Sequence, residues 1–329
     1  LASARGLDIA PELKRLDETL FLPVVTSYSA QFQLIVDSIL RTSCCLGLDK
    51  VSALAGYMTM RDIYAPSYAF AGGNGAITNA LSRKLLSSSR MICGAFVWSM
   101  NVTESGVNII YSDSAGYMHE VHTRHAIVTV PPMVAARILK NLDNQSKISM
   151  LAFRYGSYLV ANCFFSRPVY DGAFSSWYGS PISFSNILNS TEPDRSAGER
   201  SKDMRQVLTV YQPYVPGSEG RSLLQEGDRT KFSRGILEQM TPISAQLAAS
   251  LESIALSRWG HAMPVMSTGY FARMARLISL KHPSFSLCHS SSQGAQCAES
   301  AVLAARLAVD EALKIKAQAR PLYSVDLRT

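Results

Sequence analysis

The stretch YAFAGGNGAITNALSRKLL, residues 68–86, decides how the chain is read: an extended aromatic entry, a glycine turn at GGNGAIT (72–78) and then helical spacing. Gly73 and Gly75 in that setting begin the G-x-G-x-x-G loop that carries a dinucleotide's pyrophosphate at a helix N-terminus. The match stops there. Thr78 stands at the third glycine position, and no Asp or Glu occurs between Ile63 and Thr103, so the acidic residue that binds a ribose hydroxyl about 20 positions on is absent. Alone, the turn reads equally as a tight entry to an ordinary helix.

Towards the N-terminus, residues 10–65 read as helical, with apolar positions three and four apart in Tyr28, Phe32, Ile35, Val36, Ile39 and Leu40, and again in Val51, Leu54, Ala55 and Met58. Asp49 is the expected N-cap of the second run. Towards the C-terminus come β-type segments at 91–100, 106–112, 116–123 and 125–132. The last, HAIVTVPP, is apolar almost throughout, as for a parallel strand buried on both faces, and Pro131-Pro132 ends it before a helix over 133–142. The polar alternation between 106 and 123 suggests a half-exposed meander. From 151 the strands lengthen into an antiparallel type, at 151–165, 207–215 and 252–260, with a polar surface loop expected at 189–203 and a helix near 229–240. A short strand at 284–290 and a long helix within 294–319 close the chain, and no internal repeat occurs.

The composition suits a globular protein: 329 residues, 47% hydrophobic and 17% charged. The net charge of +7 is dispersed in single residues and pairs such as Lys14/Arg15 and Arg83/Lys84, which argues against a nucleic-acid partner and fits an anionic substrate or cofactor. Six cysteines without C-x-x-C or zinc spacing imply reduced, buried thiols. His119, His122 and His125 would converge on a metal only on a helix, and they fall in a predicted strand and turn, so no metal is expected. No apolar run approaches the ~20 residues of a transmembrane segment. The serine run beginning at Ser290 lacks the G-x-S-x-G frame of a hydrolase.

In order, the GGNG turn and its helix, the C-G-A-F-V-W-S-M strand, the meander, the A-I-V-T-V-P-P strand, R-W-G-H-A-M-P (258–264) and S-A-x-x-A-A (300–305) resemble the flavin-containing amine oxidase superfamily, which includes monoamine oxidases, amino-acid oxidases and isoprenoid desaturases. The resemblance is strongest over 66–140 and 251–318. It implies an α/β FAD-binding two-domain fold with an α+β substrate domain. Residues 1–65 and 143–257 would form the substrate domain, as a helical part and an antiparallel sheet. Residues 66–142 and 258–329 would form the FAD-binding domain, the second with its long helix. The Leu1 start then reads as a chain that lacks the N-terminal Rossmann βαβ unit, which a missing segment or a companion chain would carry. The compartment is left open.

Carried over by position, the resemblance gives the backbone of Val97 to the adenine and places Pro131 and Pro132 at the strand end near the cofactor. His289 and Ser290 match a Gly-Glu pair whose carboxylate, lost here, contacts ribityl or ribose hydroxyls. Gln293 stands where an aromatic would sandwich the amine. The stretch Gly294, Ala295 to Ala298 matches the helix start that points at the isoalloxazine, where unpaired N–H groups suit the anionic edge of reduced flavin. The lysine found near flavin N5 in many amine oxidases falls at about Val160, with Asn162 on the same face, so it is absent. Trp259 and His261, on one face of the R-W-G-H-A-M-P strand, are candidates to wall the pocket and to exchange a proton or bind a carboxylate. The activity expected is hydride transfer from the C–H of a small-molecule substrate, next to an amine, to FAD, with oxygen as the final acceptor giving hydrogen peroxide. The alternatives are a desaturase-like flavoenzyme and a non-catalytic subunit that keeps the fold for binding or assembly.

Overall fold

The computed structural model describes residues 11–64, 70, 73–86, 90–191, 205–294 and 296–318. The first part is helical: α1 (Pro11–Glu18), α2 (Leu22–Val25), α3 (Ala30–Cys44), α4 (Ala53–Ile63) and α5 (Gly75–Leu86). Ser29 caps α3 by accepting from the Phe32 N–H at 3.2 Å, and Cys45 ends the helix in the left-handed region at φ 50°. Asp49 does not cap α4. Ser52 does, accepting from Ala55 N–H at 3.2 Å, because Val51 bridges to Ser267 and Ser52 N–H donates to the Met266 carbonyl, which holds the chain extended up to that point.

The middle of the chain gives β1 (Phe96–Thr103), β2 (Gly106–Ser112), β3 (Met118–Thr123), β4 (Ala126–Val128), α6 (Pro132–Ile138), β5 (Leu139–Lys140) and α7 (Asn144–Leu151). The rest gives β6 (Tyr155–Phe165), β7 (Ser175–Trp177), β8 (Asn186–Asn189), β9 (Gln206–Tyr214), α8 (Ser218–Gln225), α9 (Arg229–Met240), α10 (Ala245–Ser250), β10 (Leu251–Pro264), α11 (Tyr270–Ser279), β11 (Phe285–Leu287), a 3-10 turn (Ser290–Gln293) and α12 (Ala298–Gln318). The expected surface loop lies outside the described residues from 192 onward.

The described residues form two compact units, one from 92–153 and 271–318, the other from 11–91 and 154–270. In the first, a four-stranded sheet runs β3-β2-β1-β5 and a separate parallel pair joins β4 to β11. The meander β1-β2-β3 is antiparallel, and β3 exposes every residue but Thr123. The expectation that 125–132 is a strand buried on both faces does not hold. β4 spans three residues, pairs with Phe285–Leu287, and leaves Ile127 40% exposed between buried Ala126 and Val128. The helix expected to reach residue 142 stops at Ile138, because Leu139 turns extended (ψ 116°) to pair with Met100 of β1.

In the second unit, five antiparallel strands run β10-β6-β9-β8-β7. One face is the core: Leu159, Ala161, Cys163 and Phe165 of β6 and Leu208 and Val210 of β9 pack with Ile236 and Met240 of α9 and Leu247 of α10. Alternation puts these residues on one side, and burying each large side chain contributes about 1.5–3 kcal/mol. Gly156 is required here, since a Cβ would sit 2.4 Å from the Cys45 Cβ. All six cysteines are free. Cys44, Cys45, Cys163 and Cys288 are buried as expected, whereas Cys93 and Cys297 are exposed. Burial pushes the Cys44 and Cys163 thiols up to about 12 and raises Cys45 further.

Candidate functional site

The second face of the five-stranded sheet gathers the candidate substrate residues of its unit. Register across β10, β6 and β9 aligns Trp259 with Tyr158 and Pro213, Ser257 with Val160 and Tyr211, and Ala255 with Asn162 and Thr209. Arg258, one position from Trp259, points to the core side, where its guanidinium donates to the Leu223 carbonyl at 3.2 Å and lies 5.8 Å from the Phe232 ring. Trp259 is therefore on the face of Asn162, and it is 58% exposed. His261, also exposed, follows after the β10–β6 register shifts beyond Trp259, and its ring meets Tyr155 edge-on at 6.2 Å. Tyr158 donates its hydroxyl to the Thr42 carbonyl at the end of α3, and burial raises its pKa. Asn162 Oδ1 accepts from Thr209 at 2.7 Å. None of the side chains at Val160, Asn162, Thr209, Tyr211, Ala255 and Ser257 carries a charge.

In the other unit, Val97 lies on β1 opposite Tyr111, where a shift of register between Val97 and Ser99 breaks the ladder and frees backbone groups for another partner. Pro131 is the N-cap of α6 without a side-chain cap, and its carbonyl accepts from the N–H groups of Val134 at 2.8 Å and Ala135 at 3.0 Å. His289, Ser290 and Gln293 come together in the turn before α12. His289 Nδ1 accepts from Ser291 N–H at 3.1 Å and lies 2.9 Å from Ser291 Oγ, and burial lowers its pKa. Ser290 Oγ donates to Gln296 Oε1, Gln296 Nε2 donates to Ser291 Oγ at 2.9 Å, and Gln293 Nε2 donates to Ser292 Oγ at 3.2 Å. Gly294 follows at φ 94°, a conformation only glycine takes without strain. Ala295 lies outside the described residues, and Ala298 begins α12.

A flavin could be held through the backbone at the shift of register beside Val97, at Met133 in the first turn of α6, where Pro132 has no N–H and Val134 and Ala135 donate to the Pro131 carbonyl, and at the first turn of α12. The hydroxyl of Ser290 and the amide of Gln293 are instead engaged within the turn. Ser292 and Gln293 also line a cavity of ≈ 410 Å³, whose other walls include Leu277, Leu280, Leu287 and Leu307.

Of the three histidines, His119 and His125 make local contacts, and His122 is exposed, 3.8 Å from Glu120. His119 pairs with Asp113 at 2.8 Å and stacks on Tyr111, and this bond, with the N–H groups of Tyr117 and Ala115, holds the Asp113 carboxyl below its usual range. His125 reaches the Pro283 carbonyl and Ser286 Oγ, each at 3.0 Å. Among the described residues no group of three or more His, Cys, Asp or Glu is placed to hold a metal, and no helix is long and apolar enough to cross a membrane.

Sequence reasoning passed over Thr209, Ser190 and Gln296. Alternation along 207–215 places Thr209 with Tyr211, but its pairing with Asn162 depends on inter-strand register.

A family model described as flavin-containing amine oxidoreductase matches residues 18–313. Among solved structures, cyclohexylamine oxidase from Brevibacterium oxydans IH-35A is similar with a TM-score of 0.70 at 13% identity, over 93% of this chain and 70% of that chain. Putrescine oxidase bound to putrescine gives 0.68 at 15% identity, over 91% and 69%. An oxidoreductase from Methanosarcina mazei gives 0.62 at 12%, over 89% and 68%. No curated protein sequence matches.

Proposed function

The chain belongs to the flavin-containing amine oxidoreductases, a family of FAD-dependent enzymes, and from that premise we propose that it oxidises a small-molecule amine received on the second face of the five-stranded sheet. The observation that carries this reading is that face itself: Trp259 and Asn162 stand on it with Val160 and Tyr211, apolar and polar groups together without a fixed charge. When bound, FAD would supply the redox chemistry, as acceptor of the hydride from the C–H next to the amine nitrogen, with oxygen as the final acceptor giving hydrogen peroxide. The residues of this chain bind and orient. Val97 and the first turns of α6, after Pro131, and of α12, from Ala298, would hold the cofactor through backbone groups. Trp259 walls the substrate and excludes water, and His261, beside Tyr155, exchanges a proton with the substrate nitrogen.

The turn at 289–296 favours a second reading. Its side chains bond one another where the family uses a carboxylate and an aromatic, which suits a subunit that keeps the fold for binding or assembly. The visible spectrum of the purified full-length protein separates the readings. Flavin bands that bleach anaerobically with an amine and return with peroxide on admitting oxygen support the enzyme. Bound flavin that no amine reduces supports the second reading, and a protein without flavin after reconstitution with FAD refutes the enzyme.

A further inference from the structure

Asn162 ends a hydrogen-bond chain in which its amide oxygen is turned to Thr209. Thr209, its partner on β9, donates to Asn162 Oδ1 at 2.7 Å, and Ser190 Oγ lies 2.6 Å from Thr209 Oγ1. A hydroxyl has a single proton. Thr209 uses its own on Asn162, so Ser190 provides the proton of the other bond, and the chain runs from Ser190 to Thr209 to Asn162. With Oδ1 occupied, Asn162 keeps both Nδ2 protons as donors. Its nearest neighbours on the face besides Thr209 are Val160 and Phe164 along β6 and Ala255 on β10, whose side chains accept no hydrogen bond, while the hydroxyls of Ser257 and Tyr211 lie diagonally, opposite Val160.

We propose that Asn162 is a specificity-determining residue that donates to a carboxylate on the substrate, with Thr209 and Ser190 as its positioning residues, so that the substrate is an amine that also carries a carboxylate. The inference rests on the reading that this sheet face receives the substrate. A pair of N–H groups complements an anionic oxygen, whereas an ammonium brings only further donors and leaves them unmatched. Trp259, on the same face, gives the apolar part of such a molecule a surface to lie on.

The test is calorimetric titration of the full-length, FAD-loaded protein with two probes that cannot be oxidised: 3-phenylpropanoate, and 1,1-dimethyl-2-phenylethylamine, which has no C–H next to nitrogen. Wild type is expected to bind the carboxylate at least about tenfold more tightly, the scale of a hydrogen bond to a charged group. Asn162→Asp, nearly isosteric but without the donors, is expected to reverse the order. Thr209→Val is expected to reduce the preference to less than about threefold by releasing the amide, and Thr209→Ser to restore it. Equal binding of the two probes, tighter binding of the amine, binding of neither, or an Asn162→Asp preference like that of wild type overturns the proposal. Flavin content and anaerobic bleaching are recorded on the same sample. A protein that oxidises amines but shows no carboxylate preference refutes this inference alone, while a protein without flavin refutes the functional reading itself.

Discussion

β6 and β4 are both apolar strands, and the molecule treats them differently. β6 runs eleven residues between two antiparallel neighbours, and its core-facing side chains from Leu159 to Phe165 meet three helices. β4 runs three residues beside one parallel neighbour, and Ile127 between its buried ends remains 40% exposed. Apolar side chains favour leaving water in both, but what they contribute depends on whether something stands opposite to receive them. Stability should therefore be concentrated in the unit that contains β6.

The strongest challenge to this contrast is Phe165→Ala. Phe165 is fully buried at the end of β6, and its truncation is expected to cost about 3–5 kcal/mol in urea denaturation. A loss no larger than that from a surface truncation would remove the distinction between the two strands. Ser52→Ala in the same unit removes the cap of α4 and should cost about 1 kcal/mol, read as a lower urea midpoint at unchanged slope. An unchanged midpoint would mean that the bond to Met266 and the bridge at Val51 fix the helix start without the cap.

A smaller effect is expected from His289→Gln in the other unit. Burial holds the His289 pKa below its ordinary value of 6.5, so the unfolded chain takes up the proton first on acidification. Its contribution to stability is intact above that value and is lost as the pH falls from there through the folded pKa. Urea midpoints measured from about pH 8 to about pH 5 should show a flatter acid limb in the variant than in wild type. Superimposable limbs would show that His289 does not sense acid. The smallest effect expected is that of Ile127→Ala, under about 1 kcal/mol because much of the side chain is already in water. A cost approaching that of Phe165→Ala would show that β4 is better covered than its exposure indicates.

Much of the architecture was legible in the sequence where one element decides its own conformation. β2 falls on residues 106–112 and α9 on 229–240 as the local pattern suggests. β7 and β8 were not legible, because strands of three and four residues containing Ser175, Asn186 and Asn189 have little β character and are fixed by pairing with each other and with β9. Asp49 looked like a cap because it is acidic and precedes an apolar run, yet two backbone hydrogen bonds made by distant residues postpone the helix to Ser52. The candidate site divides in the same way. Trp259 and Asn162 could be picked out by residue type and alternation along a strand. The bond from Thr209 to Asn162 spans 47 positions and exists only once β6 and β9 are in register.

The placement of the thiols has a practical outcome. The unit that contains β6 holds Cys44, Cys45 and Cys163, all buried and all with raised pKa, so a thiol reagent at neutral pH finds neither access nor thiolate there. The other unit holds both exposed cysteines, Cys93 and Cys297. Alkylation of the native protein should thus stop at two sites in one unit, and later adducts at Cys44, Cys45 or Cys163 would time the opening of the other. The wild-type chain already contains the labels for following its two halves separately by mass spectrometry, with no cysteine introduced.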